Sequence, residues 1–320
     1  MGSGEPLTGT RLLAWILALG AGLTLSVLMG VAWGTGSLSI VDLLPGGAPL
    51  SEQARAVFFD VRLPRVLAAA LLGGALSVAG VVFQALLRNP LADPYVLGVS
   101  GGASIGGVLA LLFGFGGAAT LLGEVAVPAF AFLGALGALF LIEWVATVGG
   151  KLTVYTILLT GAIFNAFASA LIYFIQTIAS LEQLHAIVFY LMGSVPMLGY
   201  RGVGLLAVAS VLATVALVSM ARDYNALTVG EEGAAQLGVD VERIKRRTFV
   251  LGSLLTGLAV SVAGLIGFVG LVVPHLMRLL LGPDHRLLLP AAFLGGGAFL
   301  VLADLTARVV VAPGELPVGI

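Results

Sequence analysis

The sequence contains no cysteine and only three histidines among its 320 residues. The lack of cysteine excludes disulfide bonds and thiolate metal sites. The histidines, His185, His275 and His285, fall in separate segments without the spacing of a metal site, so we expect no bound metal. The Gly-Gly-Lys at 149–151 is followed by leucine, which excludes a P-loop for ATP. No set of residues suited to nucleophilic or acid–base catalysis is present, so we expect neither catalytic residues nor a cofactor held by this chain.

Charged residues are equally scarce. They make up 10% of the chain, against about a quarter of an average soluble domain, and the mean hydropathy is +1.13. Most of the surface must therefore face lipid or other apolar helices, and the sequence predicts an all-α, polytopic membrane protein in contact with the bilayer. The net charge of −1 and the scattered basic residues exclude nucleic acid as a partner.

Nine apolar runs are candidates for membrane spans, because a helix of about 20 apolar residues crosses the hydrocarbon core. They lie at about 12–33, 66–87, 95–115, 125–148, 152–178, 202–221, 248–265, 267–281 and 289–309. We expect them to form one transmembrane domain over residues 1–320. The odd number of spans and the apolar last residue, Ile320, lead us to expect a further span after it.

Basic residues predict the orientation of these spans. If the spans alternate and Arg11 lies inside, ten Lys and Arg residues fall on the inner side and five on the outer side. Basic residues concentrate on the cytoplasmic side of membrane proteins, so we expect the N-terminus in the cytoplasm.

Titratable side chains are almost absent from the predicted spans. Glu143 lies near an inner end and Asp304 near an outer end, four residues before Arg308, which is the spacing of a helical ion pair. Ion-coupled transporters keep charged groups at mid-membrane for their function. Their scarcity favours a pathway driven by another protein. A self-sufficient secondary transporter or channel is the alternative from another class.

Two features point to helix packing and to docking. Gly98, Gly102 and Gly106 recur every four residues on one helical face, which predicts close helix packing, with a pore-lining role as the alternative. The stretch at 222–247 holds ten of the chain's 15 basic and 16 acidic residues. Asn225 is a candidate helix cap and the residue at 238 is a glycine that ends a turn. We therefore expect two short cytoplasmic helices that dock a partner, with a solvated hairpin as the alternative.

Two turns and three arginines lie at the predicted ends of spans. The turn RNPLADP at 88–94 is expected to narrow the inner mouth of a pathway, and residues 153–155 occupy the equivalent place in another hairpin. Arg62, Arg65 and Arg308 share the predicted outer side. They either extend into the membrane interface or hold acidic groups of an external partner.

Four stretches, in this order, resemble one family. They are Arg62–Ser104 (with RNPLADP), Leu227–Asp240, Gly264–Leu287 (with GFVGLVVPH) and Ala303–Ile320. Together they resemble the permeases of iron-chelate and vitamin B12 ABC importers, the FecCD-type family, over essentially the whole chain from the first span. The resemblance implies a type II ABC importer permease fold of ten spans, of which about nine lie in this chain.

The resemblance also implies partners and a location. It implies a homodimer with a second permease copy, two ATP-binding cassette ATPase subunits that bind ATP and Mg, and a periplasmic substrate-binding protein. The location is the bacterial cytoplasmic (inner) membrane. The ATPases would dock on cytoplasmic coupling helices at 225–239.

The same resemblance assigns roles to residues. The ATPase-coupling residues are Asn225, Leu227, Gly230, Glu231, Ala234, Leu237 and Gly238. The cytoplasmic gate residues are Asn89, Leu91, Val154 and Tyr155; the bulky Tyr155 departs from the small polar residues of the B12 permease. The residues that would meet glutamates of the binding protein are Arg62, Arg65 and Arg308.

The chain is thus expected to be a transport subunit and not an enzyme, because ATP hydrolysis belongs to the partner. We expect it to move an iron chelate, either a ferric siderophore or haem, with cobalamin as the alternative.

Overall fold

The computed structural model describes residues 8–33, 52–115, 121–311 and 314–319, and these are almost entirely helical. The prediction of an all-α polytopic fold is confirmed. In chain order the helices are α1 (Gly9–Ala32), α2 (Glu52–Ala56), α3 (Leu63–Leu86), α4 (Val99–Leu112), α5 (Leu121–Ala146), α6 (Val154–Ile178), α7 (Leu181–Met192), α8 (Tyr200–Ser219), α9 (Ala221–Leu227), α10 (Glu231–Gln236), α11 (Val241–Ala263), α12 (Val269–Leu281) and α13 (His285–Val309).

Three short elements complete the described fold. A π-helical segment, Val57–Arg62, joins α2 to α3, and a 3-10 turn, Pro94–Leu97, precedes α4. Strands β1 (Thr147–Val148) and β2 (Lys151–Leu152) form an antiparallel hairpin between α5 and α6.

Each of the nine predicted spans falls on a helix, but the lengths differ from the prediction. By length and composition, six of the described helices could cross a membrane: Gly9–Ala32, Ala54–Leu86, Val125–Ala146, Val154–Ile178, Tyr200–Ser219 and His285–Val309. Helices α4 and α12 have 14 and 13 residues, which is about 20 Å at 1.5 Å per residue. That is shorter than a hydrocarbon core of about 30 Å. The predicted spans 95–115 and 267–281 therefore need correction, because their helices cannot cross alone.

Backbone conformation explains why these two helices are short. Gly98 has a φ of +89° and ends the 3-10 turn before α4, while Phe268 has a φ of +64° and immediately precedes α12. Positive φ values cannot continue a right-handed helix.

The predicted spans also left residues 179–201 unassigned, and this region contains α7. A capping box starts α7, in which Ser180 and Gln183 bond each other's backbone N–H groups.

Helix α3 is the centre of the bundle. It is buried over nearly its whole length, with α13, α11, α12 and α8 packed around it. Two of its glycines permit the closest approaches: a Cβ on Gly73 would collide with the carbonyl of Gly296 in α13, and one on Gly80 with the carbonyl of Gly270 in α12. Small residues let membrane helices pack with their backbones in contact.

Helices α4 and α5 form a second close contact. A Cβ on Gly102 or Gly106 of α4 would collide with backbone atoms of α5, and one on Gly134 of α5 would collide with α4. Gly102 and Gly106 thus have the geometry of the predicted packing face. Gly98 makes a different contact, since it lies outside α4 and faces Gly161 of α6.

Candidate gating and coupling site

The charged stretch at 222–247 folds into α9, α10 and the first turns of α11, two short helices followed by a long one. Asn225 lies inside α9, so it does not cap either of the two short helices. Its Nδ2 donates to Asp284 Oδ1 at 2.8 Å, and its Oδ1 accepts from the backbone N–H of His285 at 2.9 Å. Asn225 therefore fixes α9 to the start of α13. We call this end of the bundle the coupling end.

Helix α10 is closed at both ends by glycine. Gly230 precedes its first residue with a φ of +100°, and Gly238 follows it with a φ of +86°. The N–H of Gly238 donates to Ala235 O at 3.0 Å, and the N–H of Val239 donates to Ala234 O at 3.1 Å. This pair of bonds is a Schellman motif, which requires the left-handed conformation that glycine adopts at least cost. Gly238 ends the helix as the sequence predicts.

The residues of this region divide into buried and exposed ones. Leu227 and Ala234 are buried in the core, where they hold α9 and α10 on the bundle. Leu237 is 69% exposed, and Val229 is also exposed. An exposed apolar pair beside charged residues has the composition of a protein interface.

A chain of charged groups connects α10 to two turns at the coupling end. Glu231 Oε2 lies 3.1 Å from Lys245 Nζ, and Lys245 Nζ lies 2.6 Å from Glu242 Oε1. Glu242 Oε2 accepts from the backbone N–H of Leu152, in β2, at 2.8 Å. At the other end, Glu231 Oε1 lies 3.8 Å from Arg88 Nη2. We call Arg88, Glu231, Lys245, Glu242 and Leu152 the polar chain.

The central members of the polar chain hold their charges. Burial lowers the pKa of Lys245, but hydrogen bonds to Glu242 and Glu231 outweigh it, and the pKa lies above its usual value. Burial raises the pKa of Glu242, but Lys245 and the Leu152 N–H outweigh it, and the pKa lies below its usual value. Both groups are therefore ionised at neutral pH. The sequence shows these residues as a run of mixed charge and gives no sign of their partners.

The first predicted gate is the turn that follows α3. Arg88 has a φ of +48°, and its N–H and that of Asn89 bond to the last turn of α3 in a Schellman arrangement. Glycine usually occupies this position. Asn89 Oδ1 accepts from the N–H of Leu91 at 2.9 Å, which tightens the turn and leaves the Leu91 side chain exposed.

The second predicted gate begins α6. Val154 is its first residue, directly after the hairpin of β1 and β2, and Tyr155 is 73% exposed. The polar chain joins the two predicted gates. One end is Arg88, the residue before Asn89, and the other end is Leu152, two residues before Val154. Both predicted gates are thus attached to α10 through Glu231.

The three arginines predicted to dock a binding protein are buried at the other end of α3. Arg65 bonds to Asp304 at 2.9 Å and to Glu315 at 2.7 Å, and Arg308 bonds to Asp304 at 2.9 Å. Arg62 donates to the carbonyl of Val31 at 3.3 Å. In this conformation the three arginines hold α1, α3 and α13 together, and their role in docking a binding protein stays a prediction. The predicted ion pair of Asp304 with Arg308 is confirmed.

The short helices α4 and α12 leave irregular backbone within the bundle, at Gly264–Phe268. Lipid cannot satisfy the polar groups of such backbone, so protein must do so. The hydroxyl of Tyr95 does this for Ile266: it donates to the carbonyl oxygen at 2.8 Å and accepts from the N–H at 3.1 Å.

A cavity of about 450 Å³ lies beside this segment, between α4, α6 and α7. Its polar lining is neutral among the described residues and consists of Tyr95, Ser100, Ser104, Asn165 and Ser169. Sequence reasoning missed this cavity, because isolated serines in a run of glycine and alanine carry no distinctive signal.

Irregular backbone inside a membrane bundle, a neutral polar cavity beside it, and a charged helix pair that exposes an apolar surface define a class. They are features of a membrane transport protein that also presents a surface suited to a partner protein. A family model described as the FecCD transport family matches residues 21–320, and the chain belongs to this family. The resemblance seen in the sequence is confirmed.

Similar proteins are also permeases of transport systems. The chain is 41% identical to an uncharacterized ABC transporter permease, YvrB of Bacillus subtilis, over 98% of this chain and 91% of that protein. It is 42% identical to the hemin transport permease HmuU of Yersinia pestis, over 82% of this chain and 78% of that protein. It is 40% identical to the cobalamin import permease BtuC of Halobacterium salinarum (91% and 76% covered).

A solved structure has the same fold. It is described as an inward-facing conformation of a metal-chelate type ABC transporter, with a TM-score of 0.82, 31% identity, and coverage of 96% of this chain and 94% of that one. The protein is therefore a multi-span permease subunit of an ABC importer. Such a permease is a transport component that works with an ATPase and a binding protein.

Proposed function

We propose that this permease imports a bulky iron chelate, a ferric siderophore or haem, across the bacterial inner membrane, with cobalamin as the alternative. The observation that carries the proposal is the neutral polar cavity of about 450 Å³ beside the irregular backbone. It offers hydroxyl and amide groups and, among its described residues, no fixed charge, which suits a large ligand whose metal charge is already neutralised by its chelator. The hemin and cobalamin relatives have nearly equal identity, so identity alone does not choose between them.

We further propose the assembly implied by the family. A homodimer of permeases binds two ATPase subunits, which hold ATP and Mg, on α9 and α10 at the cytoplasmic side. A periplasmic binding protein delivers the chelate at the end that carries Arg62, Arg65 and Arg308, and the N-terminus is cytoplasmic. The exposed Leu237 and Val229 support an ATPase interface on α10. The burial of the three arginines means that a docking protein must first separate Arg65 and Arg308 from Asp304 and Arg62 from the carbonyl of Val31.

Uptake into vesicles tests this function. Proteoliposomes with the permease, its co-expressed ATPase and the cognate binding protein should accumulate ferric siderophore or haem only when ATP is present on the ATPase side. Omitting the ATPase should abolish uptake, and cobalamin should compete only if it is the true substrate. Uptake by the permease alone would support the secondary transporter or channel instead.

The polar chain gives the proposed mechanism its physical link. When ATP closes the ATPase pair, α10 moves, and Glu231 transmits the displacement to Arg88 on one side and through Lys245 and Glu242 to Leu152 on the other. Because Asn89 and Val154 follow these end points closely in sequence, both gates respond to one helix.

Removing the charge of Glu231 should uncouple hydrolysis from transport. In Glu231→Gln we expect the chelate transported per ATP hydrolysed to fall about tenfold, because the charge-assisted bond to Lys245 and the longer ion pair with Arg88 are lost, while the ATPase still binds. The measurement is simultaneous uptake and phosphate release in proteoliposomes.

The neighbouring Glu232 supplies the control. It is exposed, on the same turn, and no described ion pair involves it. In Glu232→Gln the chelate transported per ATP hydrolysed should stay close to that of the unaltered permease. Equal losses in the two variants would show that charge on α10 matters for ATPase docking and that the polar chain does not transmit movement.

A further inference from the structure

A second cavity, of about 300 Å³, lies at the coupling end and is distinct from the neutral cavity. It is bounded by the last turn of α3, the first gate turn, the end of α9, and the junction of α12 with α13. Its ionisable lining consists of Arg88, Arg278 and His285, and no carboxylate lines it among the described residues. We call it the arginine cavity. Its electrostatic field favours an anion.

Three polar atoms on residues that line the arginine cavity lack hydrogen-bond partners within the described part of the chain. Arg278 Nη1, His285 Nε2 and Gln84 Oε1 are each buried without a hydrogen bond. The His285 side chain is only 4% exposed, and that of Gln84 is also buried. A buried polar atom without a partner is costly, so such a group indicates a missing ligand or ordered water.

The protonation of His285 follows from its other contacts. Its Nδ1 lies 2.8 Å from Asn225 Oδ1. The Asn225 amide is oriented by Asp284, which accepts from Nδ2, so Oδ1 can only accept. The imidazole proton is therefore on Nδ1, and Nε2 keeps an unused lone pair on a residue that lines the cavity. The cavity thus combines cationic donors with two unused acceptors, Nε2 and Gln84 Oε1.

The backbone at Arg88 is a separate observation. A left-handed conformation is unfavourable for a non-glycine residue, and the position is one that glycine fills without strain. The chain nevertheless carries an arginine here, and its guanidinium lines the cavity. Its bond to Glu231 is long, at 3.8 Å, whereas Lys245 holds the same carboxylate at 3.1 Å. The side chain of Arg88 is therefore available to a ligand in the cavity.

A ligand that satisfies all of these groups must be anionic toward the arginines and must also donate a hydrogen bond to Nε2 or Oε1. A phosphate with an ionisable hydroxyl does both, because it carries negative oxygens and a P–OH group at neutral pH. Sulfate and phosphodiesters have no such hydroxyl.

We propose that the arginine cavity binds a phosphate group that bears an ionisable hydroxyl, either inorganic phosphate or the head group of a phosphomonoester lipid. Arg88 and Arg278 bind its anionic oxygens, and His285 Nε2 accepts from its hydroxyl. The bound group joins the first gate turn to α12 and α13, next to the polar chain.

The test uses the full permease chain without its ATPase, since the ATPase has phosphate sites of its own. Calorimetric titration with inorganic phosphate should show saturable binding at least about tenfold tighter than binding of sulfate. In a parallel arm, native mass spectrometry of protein from nanodiscs should show retained phosphatidic acid in preference to phosphatidylglycerol, a phosphodiester. If only inorganic phosphate binds, the ligand is the free ion. If only phosphatidic acid is retained, the ligand is the lipid head group.

Variants connect the binding to the cavity. Arg278→Gln should weaken binding about tenfold or more. Arg88→Gly should do the same while folding normally, because glycine suits its backbone, and a melting curve checks this. Arg222→Gln, an exposed arginine on α9, is the charge-matched control and should bind like the unaltered chain. If phosphate binds no better than sulfate and phosphatidic acid no better than phosphatidylglycerol, or if both cavity variants bind normally, the proposal is wrong and the cavity holds water.

Discussion

Replacing Asp304 with alanine should destabilise the permease by roughly 3–5 kcal/mol, because it removes the carboxylate that pairs with buried Arg308 and leaves buried Arg65 with Glu315 alone. Asp304 is 1% exposed and bonds to both Arg65 and Arg308 at 2.9 Å. The cations come from α3 and α13, and Arg308 also donates to the carbonyl of Gly30 in α1 at 3.0 Å. The loss therefore weakens a three-helix junction. The measurement is thermal or denaturant unfolding of the purified permease in detergent.

An exposed ion pair provides the comparison. Arg243 and Asp240 form a surface pair at 3.3 Å with both side chains more than half exposed. Exposed pairs contribute little, so Arg243→Ala should change stability by about 0.5 kcal/mol or less. The free energy of unfolding could instead change no more in Asp304→Ala than in Arg243→Ala. That result would show that Arg65 and Arg308 find water or other partners, and that their bonds to Asp304 do not hold the helices together.

Replacing Gly80 with valine should cost about 3 kcal/mol or more and lower transport, because overpacking a well-filled core forces the backbone to move. A Cβ at this position collides with the carbonyl of Gly270, and a backbone atom cannot rotate away as a side chain can. Helix α12 must separate from α3, and the irregular segment before α12 must move with it. Unfolding curves and vesicle uptake measure the two effects.

Gly137 is the matched control for this prediction. It lies inside α5, and no atom comes within 4 Å of a Cβ built on it. Gly137→Ala should be neutral or stabilising by about 0.5–1 kcal/mol, as expected for alanine in a helix interior. A Gly80→Val variant that unfolds with the same midpoint as Gly137→Ala would mean that α3 and α12 are less closely packed than described.

The parts of the fold that could be predicted are those written in local patterns. Apolar runs located helices, and Gly238 ended α10, because both signals depend on neighbours along the chain. The ends of α4 and α12 could not be predicted in the same way. They depend on Phe268 and Gly98 adopting positive φ, and a phenylalanine gives no sequence signal of that conformation.

The candidate site shows the same division. The pair of Asp304 and Arg308 was predictable because the residues are one helical turn apart. The bond from Arg65 to Asp304 spans 239 positions, and nothing in the sequence indicates it. The charge count left two roles open for the three arginines, the membrane interface or the acidic groups of a partner, and the fold buries all three. The polar chain and the arginine cavity were missed for the same reason, since each joins residues from several helices.

The hydroxyl of Tyr95 bonds to both the carbonyl oxygen and the N–H of Ile266, in the irregular segment Gly264–Phe268. Since Tyr95 follows Leu91 by four positions in a short turn, the first gate and the wall of the neutral cavity share one anchor. Ser100 Oγ and Asn165 Nδ2, which line that cavity, donate to the backbone carbonyl of the same tyrosine at 3.2 and 2.8 Å. We therefore expect a movement of the turn that holds Tyr95 to change the wall of the neutral cavity as well.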